Sequence, residues 1–298
     1  MQNDILYILG NGFDIHHGIK SRYSDFKEYI KLIDCDVADS IEKYLMISEN
    51  WNNLESALSS VDVDTLIDDA MQYLASYSDE NWSDSGHHSF QIEVERYTDS
   101  LSSELKRHLL NWVLELRIPT QKKIKVISPS AFFLSFNYTD TLNKIYDVPC
   151  ERILHIHGKA INKDSELVLG HDWSSSKTYT ENANIQFDED WDTRVMEGYG
   201  IVDDYFKKTF KPAQDLINDN ELFFKKLNSI RHIYVLGHSI SEVDIKYFAN
   251  IVNNIDKQSV QWHLSYYDAE DEHSHLSALI YLGIKENLIH ISHIDCFS

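Results

Sequence analysis

Residues 5–26 read ILYILGNGFDIHHGIKSRYSDF, an apolar run from Ile5 to Leu9 that stops at Gly10-Asn11-Gly12 and gives way to a polar turn and a helical pattern. A run without polar alternation predicts a central parallel strand covered on both faces. Two glycines permit a sharp turn and leave main-chain N–H groups bare, within reach of an anion near the next helix N-terminus. The stretch therefore reads as strand, phosphate-type loop and helix, the opening of an α/β nucleotide fold. It is not G-x-G-x-x-G, because Asp14 and Ile15 follow Gly12 and the next glycine is Gly18. A tight strand-to-helix turn without a ligand has the same pattern.

Working outward, Phe26, Tyr29, Ile30 and Ile33 recur at helical spacing after Ser24, a serine able to cap, and this helix is expected to pack on the first sheet. Between residues 36 and 118 the amphipathic patterns are helical, at Ile41–Met46, Leu54–Leu58 and Leu66–Tyr77, so the segment reads as an all-helical insertion in one domain spanning 1–298. Its longest element is expected from His88 to Arg117, a single helix of about 45 Å ended by Pro119. Trp51 and Glu55 are four apart and share a face if helical, a face expected to look toward the cleft with Glu55 meeting a basic or amide partner there.

The sheet resumes with runs at Lys125–Ile127, Phe132–Phe136, Ile153–His157 and Leu167–Leu169, then His232–Leu236, Val260–Tyr266 and Leu288–Ile294. Helical patterns are expected at Tyr205–Leu227, Ser241–Ile255 and Glu272–Leu282, and the polar stretch 173–200 reads as a lid loop. The fold class is α/β: a doubly wound, mostly parallel Rossmann-like sheet. Ligand crevices in such sheets lie beyond the carboxyl ends of the strands. Asn137-Tyr138-Thr139-Asp140, His157-Gly158, Gly170-His171-Asp172 and Gly237-His238-Ser239 should accordingly converge with Gly10–Asp14 on one rim.

Composition narrows the partners. A balance of 27 basic to 48 acidic side chains, net −21, repels a phosphate backbone and disfavours nucleic acid. The 3 cysteines are far apart and in no C-x-x-C, which suits a reducing compartment. Asp4 interrupts any leader, and no apolar run approaches the roughly 18 residues of a membrane span; a cytoplasmic protein is expected, without membrane contact.

Five motifs in order, Gly10-Asn11-Gly12-Phe13-Asp14, Trp51-x-x-Leu54-Glu55, Ser135-Phe136-Asn137-Tyr138-Thr139-Asp140-Thr141-Leu142, His155-Ile156-His157-Gly158 and Leu236-Gly237-His238-Ser239 with Asp244, cover nearly the whole chain. Together they resemble the bacteriophage abortive-infection AbiH family, and more remotely the sirtuin-like NAD-binding enzymes of antiviral defence. The second resemblance implies NAD as substrate, with Gly10 and Gly12 in the phosphate loop, Asn137 holding ribose and water, and His157 as base. It implies that Asn11, Phe13, Gly158, Gly237, His238, Ser239 and Asp244 line the nucleotide. Asp140 stands three residues beyond the asparagine, where sirtuin-like chains have an aspartate at two. No zinc-binding cysteine set is present, so a bare catalytic domain is implied.

The residue types suit N-glycosidic cleavage: the Asn137 amide donates and accepts at once, and a histidine titrates near working pH. Asp14 or Asp140 is the carboxylate that orients water or ribose; the sequence leaves both open. Each also suits a plain helix-terminus role. Among the 15 histidines, His155 and His157 should share a strand face with His171, Asp172 and His238 nearby, so a metal-dependent phosphoesterase or nuclease is an alternative. A non-catalytic nucleotide sensor is another, and a homo-oligomer or a partner defence protein fits all three readings.

Overall fold

A computed structural model describes residues 4–76, 87–172 and 192–298. The chain divides into two compact units, the first made of Met1–Arg22, Leu110–Val168 and Pro212–Ser298, the second of Tyr23–Leu109 and Leu169–Lys211.

The first unit is built on β1 (Ile5–Leu9), β2 (Phe132–Ser135), β3 (Ile153–His155), β4 (His232–Leu236), β5 (Gln261–Tyr266) and β6 (Ile289–His293), in the order β3-β2-β1-β4-β5-β6. Every pairing is parallel. This is the doubly wound Rossmann-like order, whose direction of growth reverses between β1 and β4. The apolar runs are continuous because both faces are covered. Leu6 and Ile8 join Leu134, Ile233, Val235, Trp262 and Leu264 on one face, under Tyr247, Phe248 and Ile251 of the helix Ile245–Asn254. Tyr7 and Leu9 point the other way, with Phe133, onto Leu142, Ile145 and Tyr146 of the helix Thr141–Tyr146.

The strand register also stacks rings. Phe133, Tyr7, Tyr234, His263 and His290 are successive partners across β2, β1, β4, β5 and β6. Their centroids are 5.0, 5.1, 4.5 and 5.2 Å apart. Each such contact contributes on the order of 1 kcal/mol beyond the area it buries. The run Lys125–Ile127, expected as a strand, instead crosses this face as a loop, its Val126 carbonyl accepting from the Tyr7 hydroxyl and its Lys125 N–H reaching Phe297 O. Burial pushes that hydroxyl up to about 12.

The second unit is helical: Tyr23–Ile33, Cys35–Tyr44, Val63–Met71, Ser89–Ser100 and Thr193–Thr209. Asp34 and Asp62 cap two of these helices, accepting from Val37 N at 3.2 Å and Thr65 N at 3.1 Å. Phe26 of the first helix lies 6.2 Å from the Trp51 ring, and Lys27 and Lys31 pair with Glu42, all within this unit. Gly198 admits the Phe90 ring to within 2.6 Å of where a Cβ would stand, so Thr193–Thr209 and Ser89–Ser100 pack closely.

Several expectations are corrected. The long helix is two, Ser89–Ser100 and Ser103–Glu115, because Thr98, Ser100 and Ser102 hydroxyls bond back to the carbonyls of Val94, Arg96 and Thr98 and the turn loosens there. Leu167–Leu169 is no strand; among the described residues, Val168 N–H donates to His157 O. The pattern Tyr205–Leu227 breaks at Pro212 into Thr193–Thr209, Ala213–Asp219 and Glu221–Lys225. Of the expected lid, 173–191 lies outside the described residues, and 193–200 is helix. Trp51 is not helical: it sits at φ 58°, ahead of the short helix Leu54–Ala57. No described helix is long and apolar enough to cross a membrane.

Candidate functional site

Four loops follow the carboxyl ends of neighbouring strands: Gly10–Asp14 after β1, Phe136–Asp140 after β2, Ile156–Gly158 after β3 and Gly237–Asp244 after β4. The rim expected from the sequence is therefore assembled for Asn137, His157, Gly12 and Gly237. His171 is not part of that unit; it forms a bridge with Phe210 and lies 3.3 Å from the Thr209 hydroxyl.

The loops after β1 and β4 meet at the switch point backbone to backbone. A Cβ on Gly12 would stand 2.8 Å from Gly237 Cα, and one on Gly237 would stand 2.1 Å from Phe13 N. Gly12 N–H donates to Gly237 O at 2.8 Å, Gly10 N–H to Leu236 O at 3.2 Å and Phe13 N–H to Gly10 O at 2.9 Å. The glycines are thus required by loop-on-loop packing, and these amides are not bare, contrary to the expectation for a phosphate loop. Phe13 is a fully buried core ring, Asn11 is exposed with Nδ2 on Ser21 O at 2.7 Å, and Ser239 is exposed. Gly158, at φ 86°, makes room for Glu166 O, which a Cβ would approach to 2.3 Å, rather than opening space for a ligand.

Beside this closure lies Asp14, in the first turn of the helix Asn11–His16 and 1% exposed. The Thr139 hydroxyl donates to its Oδ2 at 2.5 Å. Oδ1 is buried with no hydrogen-bond partner among the described residues. Burial pushes the carboxyl up to about 6 against the opposing pull of Thr139, Thr141 and Asn137. Thr139 and Thr141, 2.9 Å apart at their hydroxyls, went unassigned in the sequence; their signal was the alternation Thr139-Asp140-Thr141. Asp140 is engaged elsewhere, paired with Lys159 at 2.5 Å. Asn137 is buried, and its carbonyl accepts from His155 Nδ1 at 3.0 Å. β3 ends at His155 rather than His157, so the two histidines do not share a strand face.

His157 joins a different group. Its Nε2 is 3.7 Å from Asp244 Oδ1, and His238 Nε2 is 3.6 Å from Asp244 Oδ2, so one carboxylate lies between two imidazoles. Both rings are buried, packed edge-on against Phe136 at 5.1 and 4.3 Å, with Tyr247 and Phe248 beside them. Among the described residues, the three-ligand group with atoms within 4.8 Å of one another is Asp34, Glu104 and His108 in the helical unit. There His108 Nε2 lies 3.0 Å from Asp34 Oδ2 and the Arg107 guanidinium pairs with Glu104.

Glu55 has a basic partner, found within the helical unit. Lys211 is fully buried with Nζ 2.6 Å from Glu55 Oε2, and the Tyr23 hydroxyl donates to Oε1 at 2.8 Å.

The strand order and this rim of buried acid, amide and imidazoles place the chain among Rossmann-like α/β proteins with polar groups gathered at the topological switch. Residues 6–266 match the family model described as bacteriophage abortive infection AbiH. The chain belongs to that family, and its biological role is abortive-infection defence against phage. No curated protein matches it in sequence.

Proposed function

We propose that the chain acts in this defence by hydrolysing the N-glycosidic bond of NAD or a related nucleotide at the rim around Asp14 and Asn137. The observation that carries the reading is Asp14: a buried carboxyl raised to about 6, with Oδ1 unpartnered among the described residues and Asn137 and Thr139 as neighbours. A carboxyl tuned upward by burial is a hallmark of acid–base sites. The reading rests on these residues and not on the glycine loop, whose amides at Gly10, Gly12 and Phe13 already have acceptors.

The chemistry balances simply. The C1′–N bond breaks with its electron pair passing to the pyridinium nitrogen, so nicotinamide leaves neutral and requires no acid. Water oxygen bonds to C1′, and Asp14 takes the proton released. Asn137 holds the water and a ribose hydroxyl, having donor and acceptor together. The resemblance implies His157 as base; we assign that role to Asp14 instead, and His157, beside Asp244, helps hold the ribose. Of the two aspartates left open by the sequence, Asp14 is assigned because Lys159 neutralises Asp140. Incubating purified protein with NAD and other nucleotides, with and without chelator, and weighing the products by mass spectrometry tests this. Nicotinamide and ADP-ribose should form, unaffected by chelation, and not with Asp14→Asn. Folded protein that leaves every nucleotide intact contradicts the reading.

A further inference from the structure

The turn after β4 carries two left-handed residues, Gly237 at φ 64° and Ile240 at φ 50°. Glycine takes this conformation freely, but a β-branched residue does so only under constraint. Ile240 is held by burial, 5% exposed within the same core cluster as Phe136, Tyr247 and Phe248. The consequence is directional: Ile240 N–H donates to His238 Nδ1 at 2.9 Å. An Nδ1 that accepts carries no proton, so the neutral ring must carry its proton on Nε2. That nitrogen faces Asp244 Oδ2 at 3.6 Å, while Asp244 Oδ1 faces His157 Nε2 at 3.7 Å.

We infer that His238 is a positioning residue: the strained Ile240 turn locks it as the Nε2–H tautomer, aimed at Asp244, and Asp244 in turn orients His157. Strain at a sparsely populated backbone conformation is often retained where it aims a functional group. Phe136, packed on both His157 and His238, fixes the ring planes from the side. The role in turnover rests on the nucleotide-hydrolase reading above; the tautomer and its transmission to His157 do not.

The test is long-range proton–nitrogen NMR on protein labelled at histidine nitrogen. His238 should show the Nε2–H tautomer across about pH 6 to 8. In His238→Ala the His157 nitrogen signals should shift toward a tautomer mixture, and in His238→Gln, whose amide N–H can replace Nε2–H, they should return toward wild type. In nucleotide turnover His238→Ala should lose roughly tenfold or more in kcat with KM little changed, and His238→Gln should recover much of it. A His238 ring protonated on Nδ1, or His157 signals unmoved in folded His238→Ala protein, would overturn the inference. Protein with the expected tautomers that cleaves no nucleotide would leave the positioning in place and remove the hydrolase reading instead. A His238→Ala protein that does not fold is replaced by His238→Gln and His238→Asn, of which only the first should preserve the His157 signals.

Discussion

Asp14 is the residue on which chemistry and stability meet. Its ordinary carboxyl value of 3.8 rises to about 6 in the fold. A raised folded value means the native state binds the proton more tightly than the unfolded chain. The stability contributed is fully present below about pH 4 and is lost as pH rises through about 6, in total about 3 kcal/mol. Asp14→Asn, which keeps an acceptor for Thr139, should therefore raise the midpoint of thermal unfolding at pH 8 and flatten its fall between pH 4 and 7, measured by calorimetry. In the proposed hydrolysis turnover should run the opposite way: with Asp14 as the base, the rate should climb with pH through about 6. Thr139→Val removes a hydroxyl that favours the carboxylate and should move that limb upward. The paired histidines differ in the same manner. His157→Ala should abolish phage protection in folded protein, whereas His155→Ala, losing the bond to Asn137 O, should weaken it through site geometry. Motif resemblance named Asn137 and His157, and residue chemistry left Asp14 and Asp140 both open; the environment that tunes Asp14 was hidden, because Thr139 and Asn137 meet it only across the sheet.

At the scale of elements, the glycine loop makes the clearest contrast. Gly237 and Gly283 both have positive φ, 64° and 88°, yet a Cβ at 237 meets Phe13 N at 2.1 Å while one at 283 meets nothing within 4 Å. Gly283→Ala should cost about 1 kcal/mol for its backbone conformation alone. Gly237→Ala has to push apart the loops after β1 and β4 and should fail to accumulate as folded protein, read by circular dichroism and soluble yield. In the helical unit, Lys211→Met strands Glu55 and should cost about 3–5 kcal/mol, much of it restored by adding Glu55→Gln. Strands were legible wherever an apolar run had neighbours on both sides, as at Ile5–Leu9 and His232–Leu236. Leu167–Leu169 looked the same and is not a strand, since an apolar run says nothing of whether a sheet edge is there to receive it. Nor does a helical stripe announce a break; that required weighing Thr98, Ser100 and Ser102 as hydroxyls that compete for backbone carbonyls.

For the whole molecule, the sheet order β3-β2-β1-β4-β5-β6 accounts for the gathering of four motif loops at one set of strand ends. The second unit takes its helices from two separated stretches, Tyr23–Leu109 and Leu169–Lys211, an arrangement hidden from a reading that moves along the chain, in which 36–118 looked like the whole insertion. A family role in abortive infection and a buried acid at a nucleotide-type switch point lead to one physiological expectation, that infected cells lose a nucleotide pool. The most direct test is the NAD content of cells carrying either the wild-type protein or folded Asp14→Asn, followed by mass spectrometry after phage challenge. NAD should fall, with nicotinamide and ADP-ribose rising, in protected wild-type cells alone. Protected wild-type cells with NAD undiminished, or equal loss with Asp14→Asn, would contradict the account.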